Sequence, residues 1–514
     1  MAITEAVIEI GSTGVRLLVA EVSEDRKQKI LDRSHLPLPL GRDVFNNASI
    51  SREIQNSCVE ILKRYAEQLK AWDILPENTT VLASSAFREA KNRDAVMDRI
   101  LVQTGFRVHI LDGIEENRLM YLAVNECLKN AGNYMEKNHL SQDDMVILEV
   151  GGNTTELMTI SAGKMVGVHS FKLGTVRIEH SLRYTGTSYS HIQRYVQESI
   201  SNTKGTLENE IKMESVRHFI AVGSDMVLAA VNCGKPVDTF LWEIESSAFD
   251  TFVKEIQPYS VDEISARFKL PYNEAQTLQA SLLVYDLFIQ MTHVDKIIVP
   301  ETNIRDGLII SKNSLQNEEV LQEFNSQIVA SARTLLQKFH GDENHAECVK
   351  SIALKLFEEM KTEFNLSEGD RLLLEIAAIL HDVGIFIRLD HHNLHSSYII
   401  KNSEIFGLSK SNTALVAEIA KYHRGKTLPQ DEDTFAMLPR GERMTILKLT
   451  AILRIADALD RSHSQKLENL SFKFQGDTLY INTKDYKNTM IEKLALSEKA
   501  AIFESVFGYR VILN

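Results

Sequence analysis

The chain has 514 residues, 44% hydrophobic and 25% charged, and a formal net charge of −13. That length exceeds one ordinary domain and suggests about three or four, and the composition is that of a folded protein with ample core. The acidic surplus argues against general nucleic-acid binding, but not against an anionic substrate held by a local arginine cleft.

Cys58, Cys127, Cys233 and Cys348 are scattered without paired metal spacing, so a reduced, cytoplasmic protein is expected. The sequence runs almost directly into a strand, so no signal peptide is expected. No apolar run approaches the ~18 residues of a membrane span.

Residues 6–22, AVIEIGSTGVRLLVAEV, read as two β-rich runs joined by a Gly-Ser-Thr-Gly turn. Residues 49–72 have helical periodicity with Ser51 as the cap. TTVLASSAFREAKNRDAVMDRILVQTG reads as strand, loop and helix, and FRVHILDGIEENRLMYLAV as a strand turning into a helix. This alternation predicts an α/β domain.

A repeat follows. EIGSTGVRL (9–17) aligns without a gap on EVGGNTTEL (149–157), 140 residues later, about one domain length. The repeat predicts two similar α/β halves facing each other across a cleft lined by both glycine turns. The second half continues through AGKMVGVHSFKLGTVRIEH, HFIAVGSDMVLAAVN and KIIVPETNIRDGLIISK. From Val320 to Leu459 helical periodicity dominates, which predicts a separate helical domain, and a strand-rich tail predicts a small α+β appendage. The expected segments are 1–128, 129–312, 313–464 and 465–514.

Strands that end in glycines expose backbone N–H groups that can cradle phosphate oxygens. Glu9, Glu149 and Glu156 beside such turns would repel phosphate, so they make sense as holders of Mg²⁺ or of a water. Each turn alone is also explained by a plain hairpin. Ser84, Ser85 and Arg88 form a hydroxyl-rich turn with a possible phosphate fork. Glu115, Glu116 and Arg118 follow a strand, and acids at a helix N-terminus have an ordinary electrostatic explanation as well.

With EIGSTGVRLLVAEV, ASSAFREAKN, LDGIEENRL, LEVGGNTTELM, SFKLGTVRIEH, ETNIRDGLI and HHNLHSSYIIKNSEIFGLS in this order, the chain resembles the exopolyphosphatase / guanosine pentaphosphate phosphohydrolase (Ppx/GppA) family. The resemblance covers nearly the whole chain. It implies the duplicated actin-like, sugar-kinase–Hsp70 ATPase fold. It also implies release of a terminal phosphate from inorganic polyphosphate or guanosine pentaphosphate. The family's catalytic carboxylate falls on Glu115, with Glu116 beside it, and a second acid on Glu156. Gly11, Ser12, Thr13, Gly14, Gly151, Gly152, Asn153, Thr154, Gly223, Ser224 and Arg88 are the expected phosphate contacts. Glu9 and Glu149 are the expected ligands of Mg²⁺ or Mn²⁺. A homodimer is expected on the same ground.

This chain departs from the family pattern in places. Glu9 and Glu149 stand where the family has Asp, Thr13 and Gly14 replace an Asn-Ser pair, Asn153 replaces a glycine, and Asp225 occupies a later backbone turn. A carboxylate displaced by about 1 Å can cost on the order of 10²-fold in rate.

The helical region carries His345 in DENHAECV, His381-Asp382 in IAAILHDVGIF and Asp457 in LRIADALDRSH, with spacings of 36 and 76 residues. The order His, His-Asp, Asp is similar to an HD-type metal phosphohydrolase, and imidazoles with carboxylates suit Mg²⁺, Mn²⁺ or Fe. Leu372, Ile376, Ile379 and Leu380 put His381 at the end of a buried helix that stops by Gly384. His391, His392, His395 and His423 can serve a second metal or a phosphate; a buried histidine is equally explained as a hydrogen-bonded core residue. YHRGK (422–426) could line a polyanion channel or be a solvated basic loop. SLLVYDLFIQM and LTAILRIADAL read as core or interface helices. Three functions therefore stay open: anhydride hydrolysis in the cleft, metal-dependent hydrolysis in the helical domain, or binding of polyphosphate or an alarmone without catalysis.

Overall fold

The computed structural model describes residues 3–23, 28–182, 189–208, 211–314, 318–425, 433–467, 470–483 and 489–514. The chain divides into two compact units, Met1–Gln322 and Glu323–Asn514.

The first unit holds two sheets. One contains β1 (Ile3–Ile10), β2 (Gly14–Val22), β3 (Gln28–Pro37), β4 (Thr79–Ala83) and β5 (Val108–Ile110), in the order β3-β2-β1-β4-β5. The other contains β6 (Met145–Val150), β7 (Thr155–Ser161), β8 (Lys164–Phe171), β9 (His218–Val222), β10 (Lys235–Asp238), β11 (Leu241–Glu245) and β12 (Lys296–Pro300). Its order is β10-β11-β12-β9-β6-β7-β8.

The repeat expected from the sequence is present strand for strand. β1 pairs antiparallel with β2 and parallel with β4; β6 pairs antiparallel with β7 and parallel with β9. The turns match in atomic detail. Gly11 N–H donates to the Gly14 carbonyl at 2.9 Å, and Gly151 N–H donates to the Thr154 carbonyl at 2.9 Å. β1 and β6 lie inside their sheets, and Ile8, Ile10, Val146 and Leu148 are fully buried. Near-continuous apolar runs are what such doubly covered strands require.

Helices cover the sheets. Ser51 starts the helix Arg52–Leu69 and accepts from Ile54 N–H, as its sequence position predicts. Asp112 does the same for the helix Gly113–Asn130, accepting from Glu115 N–H at 2.8 Å. The helix Tyr272–Thr292, which carries SLLVYDLFIQM, is buried around most of its circumference in the core behind the second sheet. The helix Ile304–Ser314 packs on Gly113–Asn130 so closely that a Cβ on Gly307 would sit 2.0 Å from the Leu119 carbonyl oxygen. Only glycine permits that approach.

In the second unit the helices Glu343–Met360, Glu368–Leu380, His392–Lys401, Lys410–Lys421 and Arg440–Leu459 share one core. The strand-rich tail is part of that core. β13 (Ser471–Gln475), β14 (Thr478–Asn482) and β15 (Arg510–Leu513) form a sheet whose Leu479, Ile481 and Leu513 pack with Phe503 and the bundle helices. A Ser367–Asp370 capping box starts the helix Glu368–Leu380, which ends at His381 as its apolar stripe predicts.

Candidate active site

In the first unit the two hairpin turns meet. A Cβ on Gly152 would lie 2.7 Å from the Ser12 Cβ, so the second turn needs a bare backbone at that contact. Between the sheets is a cavity of about 380 Å³. Of the residues expected from the sequence, it is lined by Glu9, Gly11, Ser12, Thr13, Ser84, Ser85, Glu116, Glu149, Gly151, Gly152, Thr154, Glu156, Gly223 and Ser224.

Charge is unevenly distributed around this cavity. Glu149 and Glu156 stand directly opposite each other across the β6–β7 hairpin, so their side chains share one face. Glu116 joins them from the first turn of its helix. The Glu156 carboxylate accepts from Ser170 Oγ at 2.7 Å and from Asn117 Nδ2 at 3.1 Å, which fixes its plane. Burial pushes the Glu116 carboxyl up to about 8; Arg88 opposes this, and Glu156, Glu149 and Glu9 add to it. Burial and the neighbouring Glu9 and Glu156 likewise push Glu149 up to about 8. A cluster of buried acids held near protonation is the donor set that a hard divalent cation would neutralise, so these residues fit Mg²⁺ or Mn²⁺.

Three arginines, Arg16, Arg33 and Arg305, also line the cavity, together with Asp225, Glu274 and Glu301. Arg305 Nη1 donates to Glu9 Oε2 at 2.7 Å, and Arg16 lies 3.7 Å from Glu9 Oε1. Glu9, expected to hold metal, is therefore bound into an arginine pair. Tyr285 ties the floor together: its hydroxyl donates to the Val222 carbonyl and accepts from Val150 N–H at 2.9 Å, joining the ends of β9 and β6.

Four expected site residues lie off the cavity lining. Glu115 turns to Arg118, 3.5 Å away, with a half-exposed side chain. Arg88 donates to the Leu111 carbonyl and to Glu116 Oε1, so it holds the acid rather than reaching into the cavity. Asn153 is buried, donating to Glu89 and accepting from Arg177 Nε at 2.8 Å. Gly14 is closed over by β3, where a Cβ would meet His35 and the Leu36 carbonyl. The sequence reading passed over Arg16, Arg305, Asn117 and Tyr285. Arg16 could have been found, since it occupies the repeat position of Glu156.

In the second unit the four histidine and aspartate positions come together. His345, His381 and Asp457 place one ligand atom each within 4.8 Å of one another, and Asp382 does so with His381 and His423. His391 and His395 stand outside these groups, and Lys426 of YHRGK falls outside the described residues. Burial pushes His381 down to about 4 against the pull of Asp382, so it is a neutral imidazole. Lys499, from the tail, pairs with Asp457.

Paired glycine hairpins, closed on a cavity lined by acids and arginines, define a phosphate-handling protein of duplicated, actin-like α/β architecture. The comparisons agree. The Ppx/GppA phosphatase family matches residues 18–316, and Ppx/GppA phosphatase domain III matches residues 329–499. The chain belongs to the Ppx/GppA phosphatase family.

It is similar to a guanosine-5'-triphosphate,3'-diphosphate pyrophosphatase of Pseudoalteromonas translucida, 23% identical over 443 residues, 82% of this chain and 80% of that one. A protein of the same name from Pseudoalteromonas atlantica is 21% identical over 467 residues, 88% and 86% of the two chains. The crystal structure of an exopolyphosphatase from Cytophaga hutchinsonii shares the fold at 15% identity with a TM-score of 0.52, covering 60% of this chain and 97% of that one.

Proposed function

We propose that the first unit hydrolyses the terminal phosphoric anhydride of inorganic polyphosphate or guanosine pentaphosphate. The observation that carries this reading is the convergence of Glu116, Glu149 and Glu156 with Arg16 and Arg305, in one cavity between the two glycine turns. The names of the relatives support the same substrate class.

In this reading the terminal phosphate lies against the glycine turns, Ser12, Thr13, Thr154 and Ser224, with the following phosphates toward the arginines. Glu116 takes the proton of the attacking water, and Glu156 orients that water through its fixed carboxylate. The water oxygen bonds to phosphorus as the bond to the bridging oxygen breaks, and the shortened anion leaves with that oxygen. Glu149, with Glu9 behind it, would hold Mg²⁺ or Mn²⁺, which when bound neutralises charge on the transferred group. Glu116 takes the base role expected of Glu115 because Glu116 reaches the cavity and Glu115 pairs with Arg118.

The reading also keeps the four-segment domain division, a homodimer, a cytoplasmic location and an HD-type descent of the helical domain. No helix among the described residues is long and apolar enough to cross a membrane.

The test is phosphate release from long-chain polyphosphate and from guanosine pentaphosphate by wild type, Glu116→Gln and His381→Ala. Loss confined to Glu116→Gln supports the cleft. Full activity of Glu116→Gln sinks it, and loss confined to His381→Ala moves the chemistry to the helical domain.

A further inference from the structure

The second glycine turn is held along one side by the chain that leads into the helix Thr175–Leu182. The Gly151 carbonyl accepts from Thr175 N–H at 3.0 Å, the Gly152 carbonyl from Val176 N–H at 2.9 Å and the Asn153 carbonyl from Gly174 N–H at 3.0 Å. A trans peptide points its C=O and N–H in opposite directions. The N–H groups of Gly152, Asn153 and Thr154 therefore all turn away from that chain. The approach is backbone on backbone, since a Cβ on Gly174 would lie 2.2 Å from the Asn153 carbonyl carbon. Successive N–H groups turned the same way suit an anion, provided that the turn stays where it is.

Three side chains hold it there. Asn153 Nδ2 donates to Glu89 Oε1 at 2.9 Å, and Arg177 donates to Asn153 Oδ1 through Nε at 2.8 Å and Nη2 at 2.6 Å. Arg177 Nη2 closes the ring on the Glu89 carboxylate, at 3.1 and 3.2 Å. The Arg177 guanidinium also lies over the Phe45 ring, 5.0 Å from its centroid. Asn153 is 1% exposed, so its amide relies on these partners rather than on bulk water. Asn153 and Arg177 belong to the second half of the unit, Glu89 and Phe45 to the first. A planar fork with one face on an aromatic ring is a task for arginine and not for lysine.

Glu89 ends the helix Ser85–Glu89, and the residue before it, Arg88, donates to Glu116 Oε1 at 3.3 Å. Adjacent helical side chains diverge by about 100°, so this short helix grips the acid with one residue and the glycine turn with the next. Glu89, Asn153 and Arg177 all lie off the cavity lining. We propose that these three are positioning residues, which fix the turn 151–154 at a set distance from the Glu116 carboxylate. The inference rests on the hydrolytic reading of the cleft. The ring sets where phosphorus lies relative to the water that Glu116 deprotonates, and a displacement of about 1 Å there costs on the order of 10²-fold in rate.

The deciding experiment compares steady-state phosphate release by wild type, Glu89→Ala, Arg177→Lys, Arg177→Met and Arg42→Met, on polyphosphate and on guanosine pentaphosphate. Melting curves show that each variant folds. Arg42→Met breaks a different bridge between the halves, Arg42 to Glu179 at 2.8 Å. Positioning lowers kcat about 10- to 100-fold in the Glu89 and both Arg177 variants, with KM within about twofold of wild type. Arg42→Met should stay near wild type, and Glu89→Ala with Arg177→Met should be no slower than the slower single variant. Raised KM at unchanged kcat in Arg177→Met, with Arg177→Lys near wild type, overturns the proposal in favour of a direct substrate contact. An equal kcat loss in Arg42→Met overturns it in favour of general loosening between the halves. Amide hydrogen exchange without substrate reads the ring by itself: residues 151–154 should exchange about tenfold faster in Arg177→Met than in wild type. Unchanged exchange sinks the ring alone, whereas a wild type that releases no phosphate sinks the hydrolytic reading on which the positioning role rests.

Discussion

The β1–β2 and β6–β7 hairpins have the same turn, the same hydrogen bond across it and the same neighbours in their sheets, yet they carry opposite charge patterns. Across the first, Glu9 faces Arg16; across the second, Glu149 faces Glu156. The first hairpin neutralises its own acid, with help from Arg305. The second leaves two carboxylates side by side, with Glu116 added from a helix of the first half. A duplicated frame thus carries a paired acid and arginine on one hairpin and two adjacent acids on the other, and in the proposed reading these serve the anion on one side and the cation and water on the other. Backbone conformation was kept while one position of the repeat changed sign.

The largest break in that division should come from the acids. Glu116→Gln is expected to lower kcat by about 10²–10⁴ with little change in KM, the range for loss of a general base. Glu115→Gln should stay within a few-fold of wild type. Steady-state phosphate release on both variants checks the pair, and a larger loss in Glu115→Gln would reverse their roles.

Glu156→Gln should cost on the order of 10²-fold, because an amide in that place still accepts from Ser170 but presents the wrong group to the water. Beside Glu9, Arg305→Met should act on binding. Losing a charge-assisted contact worth about 1.5–3 kcal/mol raises KM roughly 10- to 100-fold and leaves Glu9 with Arg16 as its remaining cationic partner. A kcat loss with KM unchanged would show that Arg305 belongs to the chemistry instead.

A smaller effect sharpens the comparison by pH. The carboxyls of Glu116 and Glu149 are held near 8 against an ordinary value of 4.5, so the folded protein binds protons that the unfolded chain releases. Without divalent metal, the stability of the first unit should fall as pH rises from about 4.5 through 8. Mg²⁺ or Mn²⁺ should flatten that slope, and Glu149→Gln should remove part of it. Melting temperatures across this range, with and without metal, decide the point; an unchanged slope on adding metal would argue against a cation at these acids.

Much of this was legible in the sequence because the turns repeat in kind. Glycine with small residues after a buried strand has few folded solutions, so the 140-residue offset carried through to matched hydrogen bonds. The cap at Ser51 and the end of the helix at His381 were readable for the same local reasons. The choice between Glu115 and Glu116 was not. Adjacent helical residues point about 100° apart, and the packing of Leu119, Met120 and Ala123 sets which one faces the cavity. Arg88 and Asn153 carry chemistry suited to phosphate, but tertiary partners, Leu111 and Glu116 for one and Glu89 and Arg177 for the other, engage it first. Lys499 lies 42 residues from Asp457 with no periodic signal to connect them.

Gly152 against the Ser12 side chain and Gly307 against the Leu119 backbone are two places where a bare glycine of one half of the first unit meets the other half. Side-chain bridges elsewhere, such as Arg42 to Glu179, can adjust their length; a Cβ at Gly152 or Gly307 could be housed only by moving one half away from the other. These two positions therefore set how near the two walls of the cleft can stand.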